Sequence, residues 1–320
     1  MKKITLLFAV GIAVPAPLIL FSVFNPAAIF LFLPILFAFP AIFSQLRYEK
    51  TALLYGVVLS FAMYWAFSYF GIVFGLTSAF FGMLAGNDIA EGKSVKASLC
   101  KGGLGFVAVI VLSCVLFTKF TGMRISTLWY EIMQSASASL YTLPEKLKML
   151  EAYYPELAQM NDPEMYMPLL EQQLAQTKML LPALLFMFSA IFGYIVLWII
   201  SLLNTIICKK PRFVPHFSRF RCTTTTTWIY FISMFAVYLT DENSVMAYAF
   251  ANLHAVTSFI LLVCAMSFLD FWMKRKHWKG ILRFLAICGI AFVSTVSLIS
   301  LVLTLLAFFD ARVNIRGLKD

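Results

Sequence analysis

The sequence predicts an all-α, polytopic integral membrane helix bundle of about nine transmembrane helices with one mostly helical extracytoplasmic insertion. Three observations lead there. Of 320 residues, 62% are hydrophobic and 12% charged, where a soluble domain has roughly a quarter of its residues charged; mean hydropathy is +0.88. Several apolar windows exceed the roughly 18 residues that mark a spanning helix. Lys and Arg, finally, gather in alternate connections: about 17 of them against about 4 acids on the side expected to be cytoplasmic, and about 8 against about 11 on the other. The formal charge of +10 is accordingly topogenic and calls for no nucleic-acid partner. Contact with anionic lipid at the inner face is a secondary consequence, worth about 1 kcal/mol per basic residue.

The loop from Cys208 to Cys222 sets the orientation. It carries Lys209, Lys210, Arg212, Arg219 and Arg221 with no acid, and short basic connections resist translocation. These five residues are expected to hold the topology and to contact lipid head groups. The N-terminus is expected inside, with Lys2 and Lys3 ahead of a first span at Ile4 to Phe21. A cleaved signal peptide is the alternative there and leaves the later topology unchanged. A second span, Pro26 to Ser44, ends at Arg47 and Lys50.

Thr51 to Gly86 is apolar over about 36 residues, about 54 Å as one helix against a hydrocarbon core of about 30 Å. It must be two spans with a tight outer turn near Ser68 to Gly71. The second carries Gly71, Gly75 and Ala79 on one ridge and Ser78, Gly82 and Gly86 beside it, a spacing that lets another helix approach closely. Internal packing and a partner-docking face are both compatible with it. An inner loop with Lys93, Lys96 and Lys101 against Asp88 and Glu91 leads to a fifth span, Gly102 to Thr118.

Residues 121–178 are the long hydrophilic stretch, interrupted by Pro144, Pro155, Pro163 and Pro168. Thr142 with Glu145, and Asn161 with Glu164, place a capping side chain three residues before a Glu, so short helices are expected. Leu147, Leu150 and Tyr154 then share a face, and Met149, Met160, Met165 and Met167 suit an adaptable surface. A structural cap or a lid over a cavity would both use such a segment. A sixth span covers Met179 to Ile207. The basic loop and the run Thr223 to Thr227 lead into a seventh, ending at Leu239. An eighth covers Val245 to Leu269, and a second basic cluster, Lys274, Arg275, Lys276, Lys279 and Arg283, marks the inner side at the start of a ninth, Ile281 to Phe309. That order puts the C-terminal tail, Asp310 to Asp320, outside.

No disulfide framework is expected from Cys100, Cys114, Cys208, Cys222, Cys264 and Cys288, none of which falls in the outer segment, and no metal site from their spacing. Nor does the sequence carry HExxH, GxSxG, paired intramembrane acids or a nucleotide loop. The expectation is therefore neither an enzyme nor a cofactor protein, and any ATP-driven step belongs to another subunit. What the spans hold is polar side chains. His254 and Ser258 share a face of the eighth span, with Tyr248 and Asn252 roughly opposite; Asn204 is near the inner end of the sixth; Ser297, Ser300 and Thr304 share a face of the last. An intramembrane ionisable group faces protein or water, so His254 is the first candidate ligand contact. A neutral His bonded to a helix neighbour, and hydroxyls bonded to their own backbone, are the plainer alternatives.

Leu181-Pro182-Ala183-Leu184, the run Pro215 to Arg221 (PxFxxFR), Ala251-Asn252-Leu253 and the run Phe309 to Arg316 (FDARVNIR) occur in an order that resembles the YybS-like family of uncharacterised bacterial membrane proteins (domain of unknown function 2232). The helix pattern of that family is similar to the substrate-binding S components of energy-coupling-factor transporters. That resemblance implies a bacterial inner-membrane protein that binds a small solute and works with a transmembrane coupling subunit and its ATPases. The subunit would dock on an AxxxA pair, here Ala9 and Ala13. The rival expectation is a non-transporting scaffold or regulator of envelope processes that binds another envelope protein through residues 121–178.

Overall fold

The computed structural model describes residues 2–24, 28–93, 95–122, 127, 177–208, 214, 216–241, 244–294 and 297–317. The interior of the expected outer insertion, and Lys209, Lys210 and Arg212 of the basic loop, lie outside the described residues. Every regular element among the described residues is helical: α1 (Lys2–Ala13), α2 (Pro15–Phe24), α3 (Ala28–Gln45), α4 (Glu49–Phe67), α5 (Tyr69–Ala90), α6 (Val95–Thr121), α7 (Leu181–Cys208), a 3-10 turn (Phe217–Arg219), α8 (Thr224–Leu239), α9 (Val245–Arg275), α10 (Gly280–Val293) and α11 (Ser297–Val313). Five helices, Glu49–Phe67, Tyr69–Ala90, Ala97–Thr121, Leu181–Ile206 and Val245–Arg275, are long and apolar enough to cross a membrane; Phe8–Phe21, Phe32–Gln45 and Thr224–Leu239 are apolar but shorter. Among the described residues, length and composition support five crossings, or six if α10 and α11 count as one broken span; the nine expected are not reached there. Phe61, Trp65, Tyr238 and Phe292 are exposed on the outside of the bundle, as lipid contact requires.

Helices α1 to α7 share one core, in which Leu33, Phe37, Phe43, Tyr55, Met63, Leu197 and Ile200 are buried. The expected first span is broken at Val14. Pro15 has no N–H to give the Gly11 carbonyl four residues earlier, so that oxygen is orphaned. The Tyr55 hydroxyl of α4 donates to it at 3.0 Å. Ser68, with φ +56°, makes the tight turn between α4 and α5. The glycine ridge of α5 is filled from within the chain: a Cβ at Gly75 would stand 2.7 Å from the Ser60 nitrogen, one at Gly82 2.5 Å from the Phe37 carbonyl, and those at Gly71 and Gly86 would strike the Met63 and Ala41 carbonyls. Close contact of this kind drives helix association in lipid, where water supplies no apolar force. At the basic end of α5, buried Asp88 is held by Lys101 at 2.7 Å and Lys93 at 3.2 Å. Just beyond the helix, hydrogen bonding to Lys93 holds the Glu91 carboxyl below its usual range.

A second core joins Cys222, Leu261, Cys264, Ala265, Leu303, Ala307 and Ala311. Thr223 caps α8, its side chain accepting from the Thr226 N–H, and Ser244 caps α9 in the same way through Ala247. Helix α9 runs 31 residues, about 46 Å, and ends one and a half turns beyond the Leu269 expected from the sequence.

The last helices depart from the one straight span expected. The single span expected over Ile281 to Phe309 is two helices whose axes differ by 120°. Ser267 and Asp270 lie one turn apart on α9. Asp270 holds Arg283, in the first turn of α10, at 3.2 Å, while Ser267 accepts from Arg316, beyond α11, at 3.0 Å. The hairpin therefore leaves and rejoins the bundle at one end, the end of the basic loop, and the segment bearing Arg316 does not lie at the opposite end. The cause is electrostatic: Asp310 and Arg316 cannot be left unpaired in hydrocarbon, and the carbonyl groups that satisfy Arg316 are in the basic loop.

Candidate functional site

The segment leading to α8 is shaped by a single 3-10 turn, closed by Arg219 N–H to His216 O at 2.9 Å and Phe220 N–H to Phe217 O at 3.1 Å. A turn so short leaves carbonyls without helical partners. Those of Ser218 and Phe220 face α9 and α11, as does that of Phe217, which keeps a second lone pair beyond its turn bond. The Ser267 hydroxyl lies 2.6 Å from the Phe217 oxygen and 2.8 Å from that of Phe220, one donor between two acceptors. Arg316 takes the remaining valences. Its Nη1 donates to Ser218 O at 2.8 Å and to Ser267 Oγ at 3.0 Å; its Nη2 donates to Phe220 O at 2.6 Å and to Asp310 Oδ2 at 2.7 Å; its Nε donates to the same Oδ2 at 3.0 Å. All five N–H groups of the guanidinium are thus used. Arg316 is 7% exposed and Asp310 1%, and the Phe268 ring lies 5.8 Å from the guanidinium carbon. Arg221 adds a further tie, Nη2 donating to the Ala311 carbonyl at 3.2 Å, near the C-terminal end of α11 where a cation is favoured. Arg219 is exposed. We call this arrangement the clasp.

One wall of the clasp is also the wall of a cavity. Phe217 and Ser218 line it together with Tyr194, Trp198 and Ser201 of α7, Val214 and His216 of the loop, Asp270 and Lys274 of α9, and Arg283 of α10; its volume is about 400 Å³. Packing of Tyr194 edge-on against Phe220, with centroids 5.5 Å apart, ties α7 to the clasp. Among the charged groups, Asp270 and Arg283 pair across α9 and α10, and Lys274 is exposed. Two polar atoms of the lining are buried without a hydrogen-bond partner: Ser201 Oγ and Arg283 Nε. Buried polar atoms normally find partners, so these two leave hydrogen-bonding capacity that water or a ligand can take up. Among the described residues no three of His, Cys, Asp and Glu gather as metal ligands.

The polar residues singled out in the sequence fall elsewhere. The His254 ring stacks on Tyr230, with centroids 4.8 Å apart, and its Nδ1 lies 3.4 Å from Ser233 Oγ. Asn252 is fully committed: its Oδ1 accepts from Ala183 N–H at 2.9 Å, and its Nδ2 donates to Met179 O at 2.9 Å and Tyr248 O at 2.8 Å. Its carboxamide stands in for the backbone bond between Met179 and Ala183 just where Pro182 disturbs the start of α7. Thr304 is buried and donates to the Ser300 carbonyl at 2.9 Å; Ser258 and Ser300 are half-buried. Ser297 opens α11. Asn204 is buried on α7, one turn from Ser201. None of these lines the cavity. Ala9 and Ala13 are exposed on α1. Asp270 was missed because the eighth span was ended at Leu269. The available signal was an acid and a serine three residues apart, followed by basic residues.

The geometry defines a polytopic helical membrane protein in which the segment after α11, through Arg316, is clasped to a loop beside a polar cavity at one end of the bundle. The chain belongs to the family described as predicted membrane protein DUF2232, whose model matches residues 13–311. The matched stretch contains Ser267, Asp270, Arg283 and Asp310, and stops five residues before Arg316. No curated protein and no solved structure matches the chain.

Proposed function

We propose that this chain is a membrane-embedded binding component that holds a small solute in the cavity between α7, α9 and α10. One observation carries the reading: a cavity of about 400 Å³ lined by two buried polar groups without partners, Ser201 Oγ and Arg283 Nε. By the positive-inside distribution of Lys and Arg, the cavity opens on the cytoplasmic side of a bacterial inner membrane. The chain supplies no nucleotide motif, so transport of the solute would draw its energy from partner subunits. Ala9 and Ala13, exposed on α1 while Gly11 between them is buried, offer a small-residue face on which a transmembrane coupling subunit would dock if the chain works as an S-component-like protein.

Native mass spectrometry of the protein, gently solubilised from its own host, tests this. A retained small molecule that is lost in Ser201→Phe, which fills the cavity, is the expected result. An empty parent protein, or a molecule retained equally by both, would refute the assignment.

A further inference from the structure

The polar cavity does not end blindly. A second cavity, of about 610 Å³, shares Tyr194, Trp198, Phe217, Asp270 and Arg283 with the first and continues along α7 and α10 past Ile195, Phe284 and Ile287. The site is therefore polar at one end and apolar at the other. Helix α10, which forms one side of the apolar part, has no buried residue and exposes Ile281, Phe284 and Phe292, so the cleft lies against lipid.

The charges at the polar end do not balance. Asp270 is matched by Arg283 at 3.2 Å, while Lys274 makes no ion pair among the described residues. Among the described lining residues two cations thus face one anion, an excess of one positive charge. A negatively charged ligand head group completes the lining. A cation would meet Lys274 and Arg283. A small anion would fill the polar end only.

Resting on the binding role proposed above, we infer that the ligand is an anionic amphiphile: a phosphate- or carboxylate-type head group among Ser201, Lys274 and Arg283, and a hydrocarbon tail in the cleft between α7 and α10. The head gives the Ser201 hydroxyl and the Arg283 Nε–H acceptors. The tail replaces lipid along Ile195, Phe284 and Ile287.

The full chain, reconstituted in phosphatidylcholine nanodiscs, is titrated with dodecyl phosphate, inorganic phosphate and dodecyl maltoside, and binding is read by native mass spectrometry. Dodecyl phosphate binding at least tenfold tighter than either of the other two is expected. Lys274→Gln, an exposed position that folding tolerates, should weaken it about tenfold, and Ile287→Trp should do the same by filling the cleft. Inorganic phosphate binding as well as dodecyl phosphate would overturn the tail assignment while leaving a solute site in place. Equal binding of dodecyl maltoside would overturn the charge assignment in the same way. Absence of binding by all three probes would overturn the amphiphile; if the host-purified protein also retains nothing, the binding role falls with it.

Discussion

Replacing Arg316 by Met should open the basic end of the bundle. The substitution removes a guanidinium that makes five hydrogen bonds and leaves Asp310, 1% exposed, as a buried carboxylate without a cation. Breaking a buried pair from one side costs about 3–5 kcal/mol. If that loss falls on the local opening of the clasp, the opening equilibrium rises by about 2 to 3.5 powers of ten. Cys222 and Cys264 report it, being 5% and 7% exposed in the closed clasp. Site-resolved alkylation with N-ethylmaleimide in nanodiscs should show Cys222 accelerating by that factor, up to the rate of exposed Cys288, with Cys288 unchanged. Removing both charges, in Arg316→Met with Asp310→Leu, should restore much of the protection, because no unpaired ion is then buried. Cys222 labelling within threefold of the parent in Arg316→Met would refute the reasoning.

Three other perturbations have definite outcomes. Tyr55→Phe should cost about 1 kcal/mol in thermal or denaturant unfolding, and less than half of that in a Pro15→Ala background, where residue 15 regains an N–H for the Gly11 carbonyl; an equal cost in both backgrounds would show that the Tyr55 hydroxyl does not replace it. Gly75→Val should destabilise the α4–α5 pair by about 1–3 kcal/mol, since its Cβ would stand 2.7 Å from the Ser60 nitrogen, seen as a lower melting temperature in detergent. Asn252→Leu should remove three hydrogen bonds and loosen the start of α7 by about 2–3 kcal/mol, measured as faster hydrogen exchange at residues 181–184.

Much of the architecture was legible because hydropathy and charge act locally. A stretch of 36 apolar residues must fold back on itself, and it does so at Ser68; glycines four apart must accept a neighbour, and α3 and α4 fill the ridge of α5. The run from Thr223, read only as the start of a span, does begin a helix, and Thr223 caps it. What failed was what depends on long-range pairing. Hydropathy made Ile281 to Phe309 one crossing, because it is blind to the tie between Asp270 and Arg283 and to that between Ser267 and Arg316, which bring both ends of the hairpin to one place. The nearly neutral tail carried no topological signal to contradict it. Polar residues within spans were noticed for being polar, yet His254 and Asn252 are occupied by neighbours. Ser201, Asp270 and Arg283 line one cavity only when α7, α9 and α10 meet, and no single stretch of sequence contains all three.

The return of the C-terminal hairpin to the basic end underlies both the clasp and the cavity wall, and side-specific labelling tests it most directly. A cysteine appended after Asp320 and, in a second chain, a cysteine at exposed Arg219, each in a background without other reactive thiols, are challenged with a membrane-impermeant maleimide in intact cells and in inverted vesicles. The account predicts that both label from the same side. Labelling of the two from opposite sides would contradict it.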